Sequence, residues 1–166
     1  MLAGLGASAA PPGMRELDRI DRGILNILQE DASTPLREIA DRVHSSVATC
    51  QRRIEKLRAD GVLVKAVALV DRVLAGRPLT VFVSIELEKQ NTDILKQFEQ
   101  RMRLQPEVMS CYEVAGEYDF HLIVTVESME EYSAFTRREF TSHHNVVNVK
   151  SLFAMNCSKF ETKLTL

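Results

Sequence analysis

The residues with the clearest chemical potential are the cations of the segment 46–59. This segment holds four cations and a single acid, in a chain of 166 residues whose formal net charge is −2: Arg52, Arg53, Lys56, Arg58 and Glu55. Clustered guanidinium and ammonium groups bind phosphates, and an arginine also binds the major-groove edge of guanine through two hydrogen bonds. The local positive charge therefore predicts a nucleic-acid contact at this segment.

Helical spacing divides the segment into two faces. The apolar residues recur at intervals of three or four and predict a buried stripe of Val47, Cys50, Ile54 and Leu57. At 3.6 residues per turn, Ala48, Thr49, Arg52 and Lys56 lie opposite this stripe, and Ser46 can cap the helix. The small residues let the helix enter a major groove, where Thr49 can contact a thymine methyl and Arg52 a guanine. Arg53 lies on the flank and is better placed for phosphate. The candidate DNA-binding residues are Ser46, Ala48, Thr49, Arg52, Arg53 and Lys56.

The neighbouring segments predict a helix-turn-helix around this helix. Thr34 can cap a preceding short helix that begins with Pro35, and His44 and Ser45 supply the turn. Another amphipathic helix lies upstream, with Asp18 as its cap. Gly61 ends the basic helix, and the β-rich run 62–70 predicts a small wing. A solvated basic face on any amphipathic helix is the plainer reading, but three helices and a wing favour a winged helix-turn-helix.

The second half predicts a different domain. Apolar alternation indicates strands at 80–87, 108–115, 120–126 and 146–153, with helices after Asn91 and after the capping box Ser128/Glu131. The order βαββαβ is that of a ferredoxin-like sandwich, so the fold class is α+β. A single sheet with helices on one face leaves Phe82 and Ile123 on the other, where they need a partner.

The patterns along the chain predict where its domains begin and end. We expect a flexible tail at 1–14, with Met14 as a possible start, then a DNA-binding domain at 15–70, a linker at 71–79 and a second domain at 80–166.

No apolar run approaches the roughly 20 residues of a membrane span, and three scattered cysteines give neither a disulfide framework nor a metal site, which fits the cytoplasm. No catalytic motif is present, and His143 and His144 are interpreted as exposed turn residues.

The combination of motifs resembles the Lrp/AsnC family of feast/famine transcriptional regulators. The residues that carry the resemblance are LDRIDRGILNILQEDA at 17–32, SVATCQRRIEKLRADGVL at 46–63 and GEYDF at 116–120. The chain departs from the family pattern in two turns. His44-Ser45 replaces Gly-Leu, so a left-handed conformation at His44 would carry a modest cost, and His144-Asn145 replaces Pro-Gly before the last strand.

The resemblance implies a set of partners and a second site. The second domain would be a RAM (regulation of amino acid metabolism) domain that binds a small effector, such as an amino acid, and assembles homodimers into a higher oligomer, with an octamer expected. Gly and Asp are ordinary turn residues by themselves. The resemblance nevertheless implies that Gly116, Tyr118, Asp119 and Ser151 bind the effector. It implies no metal, cofactor, catalytic residue or membrane, and double-stranded DNA as the macromolecular partner.

Two other functions share parts of this pattern. Some proteins with the same two-domain layout resemble siroheme decarboxylases, which are enzymes and would not need a basic recognition face. A protein that organises DNA without sensing an effector is the other alternative. Arg52, Lys56 and the capping Ser46 favour the regulator over the enzyme.

Overall fold

The computed structural model describes residues 16–89, 91–141 and 145–166. These residues form two compact units: the described residues up to Ala68 together with Phe160–Leu166, and Leu69–Lys159. The elements are α1 (Arg19–Glu30), α2 (Leu36–Arg42), α3 (Val47–Ala59), β1 (Leu79–Leu87), α4 (Thr92–Arg103), β2 (Val108–Glu113), β3 (Phe120–Val126), α5 (Met129–Thr136), a π-helical turn (Arg137–Thr141) and β4 (Val146–Phe153). None of the helices in this described part is both long and apolar enough to cross a membrane.

The first unit is a helical cluster around α1. Asp18 begins α1, since its carboxylate accepts hydrogen bonds from the backbone N–H groups of Ile20 and Asp21 at 2.9 Å. The core shared by α1, α2 and α3 consists of Ile24, Leu25, Ile27, Ile39, Ala40, Cys50, Ile54 and Leu57. Gly23 lies where a Cβ atom would stand 3.0 Å from Cγ1 of Val43, which explains a glycine inside a helix.

Three local predictions for this unit are wrong. Thr34 does not cap α2, because its hydroxyl donates to the Asp31 carbonyl oxygen, and Pro35 is the N-cap without a side-chain bond. Val47 is 43% exposed, because it opens α3 ahead of the buried turns. The run 62–70 contains no strand. Its first two N–H groups donate to the Leu57 carbonyl, and the residues that follow pair with no strand of the described chain.

The second unit is a four-stranded antiparallel sheet in the order β2-β3-β1-β4, covered by α4 and α5. The βαββαβ order and the hairpin of β2 and β3 confirm the sequence-based expectation, although β2 ends at Glu113. The helices start where their caps predict, because Asn91 and Ser128 accept hydrogen bonds from Ile94 N and Glu131 N. The inward residues of β1 and β3 are almost fully buried against Phe98 and Phe135.

Some sequence-based expectations lie outside the described residues. They are the flexible tail at 1–14, a start at Met14, and the exposed turn formed by His143 and His144.

Candidate DNA-binding and effector sites

The exposed face of α3 carries the candidate DNA-binding residues. Ser46 caps the helix through its hydroxyl, which accepts from Thr49 N at 3.2 Å and donates to Thr49 Oγ1 at 2.8 Å. Because Cys50, Ile54 and Leu57 lie in the helical core, the opposite side of α3 points to solvent. Ala48, Arg52 and Lys56 lie on that side and are exposed.

Arg52 and Lys56 are available for an external anion. Neither side chain makes a hydrogen bond or an ion pair with any residue in the described part of the chain. The only acid that α3 presents beside them, Glu55, accepts a hydrogen bond from Gln51 at 3.2 Å. Two unneutralised cations four residues apart form a continuous positive stripe on the helix surface.

Arg53 has a different place from the one expected for a phosphate contact. Its Nη1 atom binds Asp18 Oδ2 at 2.7 Å and Asp21 Oδ1 at 2.8 Å, and its side chain is only 20% exposed. These hydrogen bonds raise the pKa of the Arg53 guanidinium and lower the pKa of the Asp18 carboxyl, although hydrogen bonds from the backbone of α1 contribute most to the latter. Arg53 therefore joins α3 to the start of α1 and does not face solvent with Arg52.

The turn before α3 contains a strained residue. The N–H of His44 bonds to the Asp41 carbonyl at 3.2 Å and that of Ser45 to the Ala40 carbonyl at 2.9 Å, which is the Schellman pattern. His44 has a φ of 53°, in the left-handed region that glycine prefers. The left-handed conformation suggested by the sequence is therefore present.

The β2–β3 connection carries three of the four candidate effector residues. Asp119 Oδ2 accepts a hydrogen bond from Leu87 N at 2.7 Å, and Asp119 N donates to the Ile85 carbonyl at 2.9 Å. One carboxylate oxygen therefore holds the end of β1, while the other accepts no hydrogen bond from a described residue. Gly116 has open space around a hypothetical Cβ and no left-handed φ, so its local backbone does not require glycine. Tyr118 is half-buried beside the ring of His121.

Ser151 is not brought to this connection within one chain. It pairs with Val83 across β1 and β4, whereas the connection meets β1 at Ile85, and β1 separates β4 from β3. Its hydroxyl lies 2.5 Å from the Tyr132 hydroxyl, towards the helices. Burial raises the pKa of Tyr132, although the Ser151 hydrogen bond opposes the shift. Ser151 thus has a structural partner of its own.

The sheet surface that the helices leave uncovered is apolar at its centre. Phe82 lies opposite Ile123 on one side and Leu152 on the other, so a row of apolar side chains crosses three strands. Phe82 is 47% exposed and Leu152 54% exposed. His121 lies on the same face, and its Nδ1 atom is 2.9 Å from the Ser84 hydroxyl.

Comparison with known proteins identifies both units. The AsnC-type helix-turn-helix domain matches residues 17–58, and the Lrp/AsnC ligand binding domain matches residues 80–164. The chain belongs to the Lrp/AsnC family of transcriptional regulators. It is therefore a DNA-binding transcriptional regulator, and the family and its relatives are named as regulators and not as enzymes.

Individual relatives of this Lrp/AsnC regulator are similar to it in sequence or structure along nearly the whole chain. An uncharacterized HTH-type transcriptional regulator of Haemophilus influenzae is 47% identical over 153 residues, covering 92% of this chain and 91% of the relative. The crystal structure of an AsnC family regulator from Agrobacterium tumefaciens has a TM-score of 0.83 at 38% identity, with coverage of 89% and 96%. A Neisseria meningitidis regulator solved in complex with L-Met has a TM-score of 0.83 at 31% identity, with coverage of 90% and 97%.

Among the candidate DNA-binding residues, Arg53 is the one whose surroundings differ from the sequence-based expectation. The helical wheel puts it on the flank of α3, where it can face either solvent or a neighbouring helix. Asp18 and Asp21 are two acids at the start of α1 that could attract this guanidinium, but the sequence accounts for Asp18 as a helix cap alone. The sequence alone does not show whether a capping aspartate also forms an ion pair with an arginine. That depends on how α1 packs against α3.

Proposed function

We propose that this regulator reads specific sequences in double-stranded DNA by placing the exposed face of α3 in the major groove. The pair of exposed and unengaged cations, Arg52 and Lys56, carries this proposal. Ala48 and Thr49 have small side chains, so the first turn of α3 can enter the groove closely. Arg52 then reaches a base edge, and Lys56 reaches a phosphate. Ser46 supports this surface as the cap. Arg53 contributes indirectly, because its bonds to α1 set the direction of α3.

Selection from random duplex DNA tests this proposal. The intact protein should enrich one consensus, and Arg52→Ala should relax the preference at one position of that consensus, with a loss of about 1–3 kcal/mol in binding free energy. Arg103→Ala is the matched control, since it removes an exposed arginine from α4 in the other unit. Failure of the intact protein to enrich any sequence contradicts the proposal.

The proposed assembly is a homodimer formed through the uncovered sheet surface, with dimers joining into an octamer. The apolar row of Phe82, Ile123 and Leu152 supports it, because burying such a row against its own copy removes apolar surface from water. The run 62–70 adds further exposed apolar side chains. Val64, Val67 and Leu69 are mostly exposed, and this run has no strand partner in the described chain.

Sedimentation of a charged variant tests the assembly. Phe82→Glu should shift the protein to monomer, since it would place a carboxylate in each half of the apolar contact. Met155→Glu is the control, because Met155 is an apolar side chain that is 98% exposed and lies outside the sheet. An unchanged mass for Phe82→Glu contradicts the proposed interface.

The proposed effector is an amino acid bound at Gly116, Tyr118 and Asp119, with Ser151 contributed by another copy in the assembly. Asp119 supports this through its second carboxylate oxygen, which can accept from an ammonium group while the first stays on Leu87 N. Gly116 supports it because neither crowding nor a left-handed φ demands glycine there, while a close backbone approach to a ligand does. The relative solved with L-Met makes methionine a natural first probe.

Thermal denaturation in the presence of each of the twenty amino acids tests the effector. A bound amino acid stabilises the folded protein by about 2.7 kcal/mol at one hundred times its dissociation constant, which raises the melting temperature. If none of the twenty raises it, an amino-acid effector is contradicted, and an effector-independent DNA-organising protein becomes the favoured alternative.

Asp119→Asn then locates the site. The amide oxygen still accepts from Leu87 N, whereas the negative charge needed by an ammonium group is lost. The amino-acid response should disappear while DNA affinity without effector stays unchanged. Asp71→Asn is the control, because Asp71 also accepts backbone hydrogen bonds, from Val73 and Leu74, away from the β2–β3 connection. A full amino-acid response in Asp119→Asn contradicts the site.

A further inference from the structure

The segment Lys163–Leu166, which we name the strap, is docked on the DNA-binding unit. Leu164 N donates to Gln29 Oε1 at 2.7 Å, and Gln29 Nε2 donates back to the Leu164 carbonyl at 3.2 Å. The side chain of Leu166 packs against the helical core. The side-chain amide of Gln29 thus pairs with both the backbone N–H and the backbone carbonyl of Leu164, as the backbone of a neighbouring β-strand does.

A charge contact completes the docking of the strap. Lys163 Nζ forms an ion pair with Glu30 Oε1 at the end of α1, and Arg42 of α2 approaches Glu30 Oε2 at 3.4 Å. Both cations lower the pKa of the Glu30 carboxyl, and Lys163 has the larger effect. The strap is therefore attached to the same carboxylate that links α1 to α2.

The strap gives the DNA-binding unit a second covalent route to the effector domain. The first route leaves α3 and reaches β1 through residues 60–78, which contain neither helix nor strand. The second leaves β4 at Phe153 and returns to α1 at the strap. Residues 154–162, which lead to the strap, also contain neither helix nor strand. A unit held by one irregular connection can rotate about it, whereas a second anchored connection limits how far it can rotate.

We propose that the strap is a specificity element that sets the orientation of α3 and so selects the spacing between two DNA half-sites. This inference rests on the proposed DNA-reading dimer. In a dimer, the half-site spacing that fits best is determined by where the two recognition helices are held. Because the docking contacts are few and Leu166 is only partly buried at the edge of the helical core, the strap can be released without unfolding that core.

The test compares the intact protein with the double variant Gln29→Ala/Lys163→Ala. Each is titrated with duplexes that carry the selected half-site once, or twice at centre-to-centre spacings from about 8 to about 16 base pairs. The control is Gln100→Ala/Lys159→Ala, which removes one exposed amide and one exposed ammonium outside the strap and α1. Hydrogen exchange at residues 163–166 verifies that the strap is released.

The intact protein and the control should bind the best spacing at least about tenfold more tightly than the worst. In the strap variant this ratio should fall to about twofold, while affinity for the single half-site stays within about twofold of the intact protein, because α3 itself is unchanged. A released strap with an unaltered spacing ratio, or an intact protein without spacing preference, overturns the inference. An intact protein that binds no duplex contradicts the proposed function instead.

Discussion

Replacing His44 by glycine should stabilise the DNA-binding unit. An L-residue in the left-handed region costs about 1–2 kcal/mol, which glycine avoids, but glycine also gives the unfolded chain more freedom, at about 0.4–1 kcal/mol. His44 has a φ of 53°, and its ring makes no hydrogen bond with a described residue that would offset the loss. The net gain should be about 0.5–1 kcal/mol, or roughly 3–6 °C in melting temperature for a unit of this size.

Circular dichroism melts of three variants separate this effect from a general response to glycine. Gly61 occupies the same position of a Schellman motif at the end of α3, with a φ of 71° and free space around its Cβ position. Gly61→Ala should therefore cost about 1 kcal/mol through backbone strain alone. Gly116→Ala, which has neither strain nor crowding, should raise stability by about 0.4–1 kcal/mol, because alanine restricts the unfolded chain. An unchanged or lower melting temperature for His44→Gly, beside the expected loss for Gly61→Ala, would refute the strain argument.

Three further outcomes follow from the ion pairs and the thiols. Arg53→Met should cost about 2–3 kcal/mol, because a buried carboxylate loses its guanidinium partner; urea denaturation measures this, and a loss below about 0.5 kcal/mol would contradict the packing described. Asp18 has a lowered pKa, so its ionised carboxylate contributes to folding stability above pH 3.8, and this contribution is lost as the pH falls below that value. Asp18→Asn should therefore reduce the dependence of folding stability on pH in this range. An unchanged dependence would exclude this role. Burial raises the pKa of Cys111 to about 11, so a thiol reagent at pH 8 should modify the exposed Cys157 first; rapid modification of Cys111 would contradict its burial.

The order of elements could be predicted because hydrophobic periodicity and capping residues act locally. Asn91 and Ser128 accept the backbone hydrogen bonds that their sequence context predicts, and β4 has the predicted bounds, Val146–Phe153. The wing could not be judged in the same way. The run after Gly61 has the composition of a strand, but a strand needs a neighbour, and none within the described chain pairs with it.

The candidate sites were harder to predict because they depend on the direction in which each side chain points from its helix or strand. Arg52 and Arg53 are adjacent in sequence, yet one points to solvent and the other is held by Asp18 and Asp21. Similarly, Ser151 lies on the predicted strand but points to Tyr132. In contrast, the conformation of His44 followed from local turn chemistry, since a residue between two closely spaced helices must often be left-handed.

The most direct test of the DNA-reading claim is a salt titration of binding to the selected duplex by the intact protein, Lys56→Ala and Arg103→Ala. Lys56→Ala should weaken binding to specific and unrelated duplexes alike and reduce the slope of log affinity against log salt by about 1 for each bound protomer, because each protomer loses one phosphate contact. Arg103→Ala, which removes a charge far along the chain from α3, should leave the slope unchanged. Equal slopes for the intact protein and Lys56→Ala would contradict the placement of this face of α3 on DNA.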